Sequence, residues 1–264
     1  MLLKPILRVE SNEVAYQATH GYFNLPDTNI QVCSVGEVMQ LQQNGILPPN
    51  TLIQMGDTWI KSPYDDKYIS IRDYEFVVTK DKINHIAEIV RNLGAEKIDI
   101  EVGFEQEEER TIDSSGEINY KVINGEGGYK KVDASEIINR YKLNDDNLQC
   151  PFDIDTYQYA LAYANVHCLY HDSDIASLFQ FRNLPNNRVS SGNRRIDIVM
   201  SNDLNQNLEI AAKLQVLPDI FKLDATFKKI TKTKKNFKMT FNCIFPPYVS
   251  PTISMATSND GRLH

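Results

Sequence analysis

The apolar positions change period along the chain, and the changes mark its elements. In the last third, Ile196, Ile198 and Met200 alternate with other residues, and so do Leu208, Ile210, Ala212, Leu214 and Val216. The same holds for Phe221, Leu223, Ala225 and Phe227, and for Phe237, Met239, Phe241, Cys243 and Phe245. Successive side chains of a strand point to opposite faces, so each set lies on one face of a sheet. The pattern predicts a meander of four antiparallel strands over 194–245. A period of two also runs through Ile98, Ile100, Val102 and Phe104, and again through Ile118, Tyr120 and Val122 after a Ser-Ser-Gly turn. An antiparallel hairpin is expected there.

Helical spacing appears between these stretches. Ile83, Ile86, Val90 and Leu93 recur on one helix face, with Thr79 as the expected cap and Gly94 as the stop. Ser34 with Glu37 forms a capping-box pattern before 35–44, Gly45 fits the helix end, and Pro48-Pro49 opens the next extended run. Further helices are expected at 133–141, 155–171 and 174–181, with a strand at 68–71 and a long loop or linker at 144–153. The expected class is α+β, an antiparallel β-meander covered by the helices at 81–93 and 155–181. Three parts are expected: a small mixed module over 1–65, an α+β domain with the antiparallel sheet over 66–245, and a surface tail over 246–264.

Within the first part, GYFNLPD, then Ser34 opening VGEVMQLQQNG, then ILPPNTLIQMGDTWIKSP, resembles the bacterial GYF-like domains. The likeness rests on Gly45, Leu47-Pro48-Pro49, Thr51-Leu52-Ile53 and Trp59. Where such domains usually carry a Gly-Pro pair before the helix, this chain has Gln31-Val32-Cys33. The resemblance implies a peptide- or protein-binding module, with Tyr22, Phe23 and Trp59 as partner-binding residues. Core packing of a very small domain is the alternative use of those rings.

Composition narrows the picture. A chain of 264 residues that is 42% hydrophobic can bury a full core. Its net charge of −7 argues against a dedicated nucleic-acid binder, which needs a basic surface. No stretch reaches the roughly 18 apolar residues that a spanning helix needs, and the opening MLLKPILRVESNE is charged too soon for a secretory signal. The expected compartment is the cytoplasm. Cys33, Cys150, Cys168 and Cys243 are widely spaced, which suits free thiols.

Candidate chemistry is sparse. His167 and His171 stand four apart on an expected helix and could share a metal, though a helix-end pair beside the negative end of the macrodipole is the plainer reading. Arg182, Arg188, Arg194 and Arg195 surround a polar loop and could meet an anion. A nuclease reading would use Asp197, Glu209 and Lys213, but the Glu-to-Lys spacing is two positions too long. No cofactor-binding or nucleophile motif is present, so catalytic, cofactor and metal residues are not expected.

Charge is segregated. Lys222, Lys228, Lys229, Lys232, Lys234, Lys235 and Lys238 crowd one expected hairpin, and Glu101, Glu105, Glu107, Glu108, Glu109, Asp113 and Glu117 the other. Solvated faces are the simplest reading, and contact with anionic lipid the sharper one. The ten-residue amphipathic runs 221–230 and 236–245 have the length of membrane β-strands, in outline like pore-forming proteins of the gasdermin or perforin type. The leading expectation is a non-catalytic protein-interaction or adaptor protein. A membrane-acting, pore-forming effector using hairpin 221–245 is the alternative, and an enzyme of unrecognised type the third.

Overall fold

A computed structural model describes residues 3–104, 111–112, 118–123, 129–133, 152–186, 188–199, 201–232 and 237–248. The first sheet is mixed. Its strands are β1 (Ile6–Glu10), β2 (Ile30–Ser34), β3 (Thr58–Lys61) and β4 (Tyr68–Ser70), in the order β2-β1-β3-β4. β1 and β2 are parallel, so the chain must cross over between them, and α1 (Asn12–Thr19) makes the crossing. Ser11 caps α1 by accepting from the Val14 amide.

Strand register sorts this sheet's side chains. Ile6, Ile30, Ile60 and Ile69 face the main core, whereas Leu7, Cys33, Trp59 and Tyr68 face a smaller one closed by α2 (Val35–Gln43) with Leu47 and Ile53. The capping box forms as expected: the Ser34 amide donates to Glu37 at 2.7 Å and the Glu37 amide donates to Ser34 Oγ at 3.3 Å. Gly45 ends the helix at φ 74°, a conformation glycine adopts without strain. The expected boundary at 65 falls between β3 and β4 of this one sheet.

α3 (Tyr74–Asn92) starts earlier than expected, so Phe76-Val77-Val78 is helical and Thr79 is buried inside the helix rather than capping it. Gly94 follows it at φ 81°. β5 (Lys97–Phe104) comes next. β6 (Thr111–Ile112), β7 (Ile118–Ile123) and β8 (Tyr129–Asp133) form a separate antiparallel sheet. The expected hairpin between 97–104 and 118–122 is therefore corrected. Alternation specifies a strand but not its neighbour, and β5 pairs with the last strand of the chain, where Ile98 and Ile100 meet Cys243 and Phe241.

α4 (Ile154–Val166) and α5 (Ser173–Phe181) match the two expected helices, with α4 ending five residues early. Two short strands follow, β9 (Arg182–Asn183) and β10 (Arg188–Val189), then β11 (Gly192–Val199). The four-strand meander is the second correction. Only its first and last members are strands, β11 and β12 (Phe237–Phe245), and they join β5 in the order β11-β12-β5. Between them lie α6 (Ser201–Ala212), a 3₁₀ turn at Lys213–Val216 and α7 (Ala225–Lys232). Leu204, Leu208 and Ala211 recur at helical spacing and are all buried, and the Phe227 amide donates to Asp224 at 2.6 Å to start α7. The helical period thus competes with the alternating one here and wins.

The result is α+β, as expected. Ile98, Ile196, Ile198 and Phe241 share one core with α3, α4, α5, α6 and α7. Expected features at 134–141, 144–151 and 249–264 lie outside the described residues.

Candidate functional site

The three aromatic residues expected to bind a partner do not meet on one surface. Trp59 is 2% exposed in the smaller core, and its Nε1 is buried without an acceptor among the described residues. Phe23 sits on the other side of the sheet, packed edge-on against Phe221 at 6.2 Å. Tyr22 is 72% exposed.

Tyr22 has different company. Tyr16, 56% exposed, lies 6.3 Å from the Tyr22 ring and stacks on His20 at 3.9 Å. His20, the C-cap of α1, is four residues after Tyr16, which brings their rings to one face. The turn at Gly21 (φ 73°) then carries Tyr22 back beside them. His20 Nδ1 bonds the Tyr16 carbonyl at 2.8 Å, holding its ring in the stack. The product is a solvent-facing ladder of three rings. The sequence signal for it was the helical spacing of Tyr16 and His20, which becomes visible only once α1 is recognised.

The arginines are dispersed. Arg182 is 1% exposed, and its guanidinium lies 4.4 Å from the Phe152 ring centre and 5.2 Å from that of Phe245. Its Nε donates to the Leu93 carbonyl at 3.0 Å, and Nη1 to those of Ser190 at 2.7 Å and Pro246 at 3.2 Å. Burial pulls its pKa down to about 10, which still leaves it charged at neutral pH. This residue ties the end of α3 to the chain entering β11 and the chain leaving β12, which lie side by side at one end of their sheet. Arg194 reaches Ser177 at 3.2 Å over the Phe181 ring, while Arg195, on the opposite strand face, pairs with Asp197 at 3.0 Å. Arg188 is exposed on β10. No shared anion pocket is formed by the four.

Lys228, Lys229 and Lys232 are exposed on α7, so they stud a helix rather than a strand, while Lys234 and Lys235 lie outside the described residues. Glu209 and Lys213 belong to α6 and the 3₁₀ turn, and Lys213 pairs with Asp27. They are not strand neighbours of Asp197 and make no nuclease site.

His167 and His171 are also separated. α4 ends at Val166, and the left-handed backbone of Cys168 (φ 57°) turns the chain, leaving His171 exposed beyond the helix. His167 has another partner, His85 of α3, whose ring stacks on it at 4.0 Å with planes 27° apart. His85 Nδ1 bonds Tyr163 Oη at 2.8 Å, and His167 Nδ1 bonds the Tyr64 carbonyl at 3.1 Å. One turn before His85, the buried Lys82 lies 3.8 Å from Asp172, whose carboxylate also caps α5. Burial, and next the neighbouring imidazole, lower the His85 pKa to about 4.

At neutral pH His85 is thus an uncharged ring whose Nδ1 is engaged, and the cluster joins α3, α4 and the loop after β3. Nearly parallel rings direct their lone pairs side by side, not toward one point. Among the described residues, no group of three or more His, Cys, Asp or Glu side chains could hold a metal ion. No described helix is long and apolar enough to cross a membrane. No family model, curated protein or solved structure matches the chain.

Proposed function

We propose that this chain is a non-catalytic interaction or adaptor protein that holds a partner protein on the Tyr16/His20/Tyr22 ladder. The carrying observation is that exposed group of three rings, Tyr16 stacked on His20 with Tyr22 tilted beside them at 6.3 Å. Tyrosine supplies large contact area at small entropic cost and is concentrated at the energetic centres of interfaces. A stack already held by the His20 bond loses little further freedom on binding, which favours affinity. The resemblance of the surrounding stretch to GYF-like domains agrees with this reading. In it Tyr22 keeps its expected role, while Phe23 and Trp59 act from below by fixing the sheet that carries α1.

The test is a photo-crosslinking amino acid at position 22 in cells, compared with the Tyr16→Ala/Tyr22→Ala chain. A specific partner should be trapped at position 22. The double variant should bind that partner roughly thirtyfold more weakly, corresponding to about 2 kcal/mol, with its thermal midpoint unchanged. Recovery of the same partner at equal affinity by both chains would overturn the reading. Trp59→Ala is the contrasting control: it should unfold the module rather than selectively remove binding.

A further inference from the structure

β11 is an outer strand of the second sheet, with β12 on one side only. The direction of its outer groups follows from the next pair. The Glu96 amide donates to the Ile244 carbonyl at 2.8 Å, so Ile244 and its even-numbered neighbours on β12 turn their backbone groups toward β5. Phe241, Cys243 and Phe245 therefore face β11, where they oppose Ile196, Arg194 and Gly192. The backbone groups of Asn193, Arg195 and Asp197 are left pointing away from β12. Exposure agrees: Ile196 and Ile198 are 1% and 0% exposed, whereas Asn193 and Arg195 lie open to solvent. Among the described residues, no backbone bond joins Asn193 or Arg195 to a further element.

Such an edge is a template for another strand, and proteins commonly guard it with lysine, proline or a bulge. Residues 192–199 contain no lysine or proline, and their register with β12 runs without a bulge. The charges on their outer face alternate in sign. Arg195 and Asp197 lie on the sheet face opposite Ile196 and Ile198. There Arg195 Nε donates to Asp197 at 3.0 Å, and Thr240 Oγ1 donates to the same carboxylate at 2.7 Å. Opposite charges two residues apart are self-complementary when a strand pairs antiparallel with its own copy.

We propose that β11 is a self-association edge, pairing antiparallel with β11 of a second copy of this chain about a two-fold axis at Ile196. In this register Arg195 opposes Asp197 of the second copy, and Asp197 opposes its Arg195, so one symmetry operation forms two ion pairs. The outward amides and carbonyls of those same residues are the ones that meet. Moving the axis to Arg195 or to Asp197 would set like charges opposite each other, and a one-residue slip would turn one copy's core face over. Charge thus selects a single register. Both cores stay on one side of a continuous sheet running β5-β12-β11-β11-β12-β5. The contact is independent of the ring group on α1.

The test is sedimentation velocity of the full chain over a wide concentration range, with variants run alone and mixed in pairs. The native chain should move to twice the mass of one chain as concentration rises. Arg195→Asp and Asp197→Arg each set like charges opposite at both pairs, and each should weaken self-association roughly thirtyfold with circular dichroism unchanged. Mixed in equal amounts, the two single variants regain both ion pairs and should associate as strongly as the native chain. The double variant Arg195→Asp/Asp197→Arg should self-associate likewise. A damaged fold would not be repaired by mixing, so this rescue distinguishes pairing from instability. A native chain that stays monomeric and leaves the edge to another protein's strand, single variants that associate as well as the native chain, or a mixture that fails to associate would each overturn the proposal.

Discussion

β12 and the helical segment before it are held by different kinds of contact. β12 has a backbone ladder on each side, to β11 and to β5, and its Phe241 and Cys243 are buried beneath the helices. The 201–232 segment has no ladder to the sheets and is held by side chains. Leu204, Leu208, Ala211, Leu214, Phe221, Phe227 and Ile230 are buried in the main core, and outer contacts run from Lys213 to Asp27, Arg72 to Asp224 and Phe221 to Phe23 in the loops around the first sheet. Ladders are lost only with the sheet, whereas side-chain fasteners can be removed singly. The two regions should therefore respond separately to substitution and to pH.

The largest effect is expected at the ladder. Phe241→Ala leaves a cavity where β5, β11 and the helices meet, and should cost about 3–5 kcal/mol, with loss of the whole fold in one urea transition. Phe221→Ala should cost about 3 kcal/mol, because part of that ring's surroundings is the Arg8 guanidinium, 6.0 Å from its centre, rather than packed carbon. Its unfolding should begin in 201–232, which is visible as an early loss of helical circular dichroism. Equal, single-step transitions for both variants would break the distinction.

Acid should separate the regions further. Folding holds His85 neutral, with a pKa lowered to about 4, whereas an unfolded histidine takes up its proton near 6.5. Stability should thus be full above about pH 6.5 and fall as pH drops toward 4, and His85→Gln should flatten that slope in urea titrations. Asp27 behaves differently. Its carboxyl is held below the usual value chiefly by the hydrogen bond from Lys213. The stability it contributes is present above the ordinary carboxylate pKa of about 4 and is lost as pH falls through its lower folded value. Loosening of 201–232 should accordingly begin only below about pH 4, after the α3–α4 junction has already weakened. The smallest effect on global stability is expected from Asp224→Asn, which removes a half-exposed pair with Arg72 and should cost at most about 1 kcal/mol.

The parts legible in the sequence are those whose determinants are local. Ser34, Glu37 and Gly45 specify α2 through contacts within a few residues, and they form as written. Alternation identified β5, β11 and β12 but could not say that β5 would choose β12, since pairing across such sequence distance leaves no local mark. Over 208–227 two periods coexist, and the helical one is the one whose Leu208, Ala211 and Leu214 reach the main core, beside contacts to Phe23, Asp27 and Arg72 more than a hundred positions away. Tyr22 was visible as a candidate, but its partners Tyr16 and His20 depended on α1, an eight-residue helix whose chief local signal is Ser11. His85 had no signal, because Tyr163 and His167 reach it only through the packing of α4 on α3.

The most direct test is native-state hydrogen exchange at neutral pH on the Asp27→Asn/Asp224→Asn chain, followed segment by segment. Side-chain fastening of 201–232 expects its amides to lose protection while those of β5, β11 and β12 keep theirs. Unchanged protection in 201–232, or an equal loss across the sheet, would contradict it.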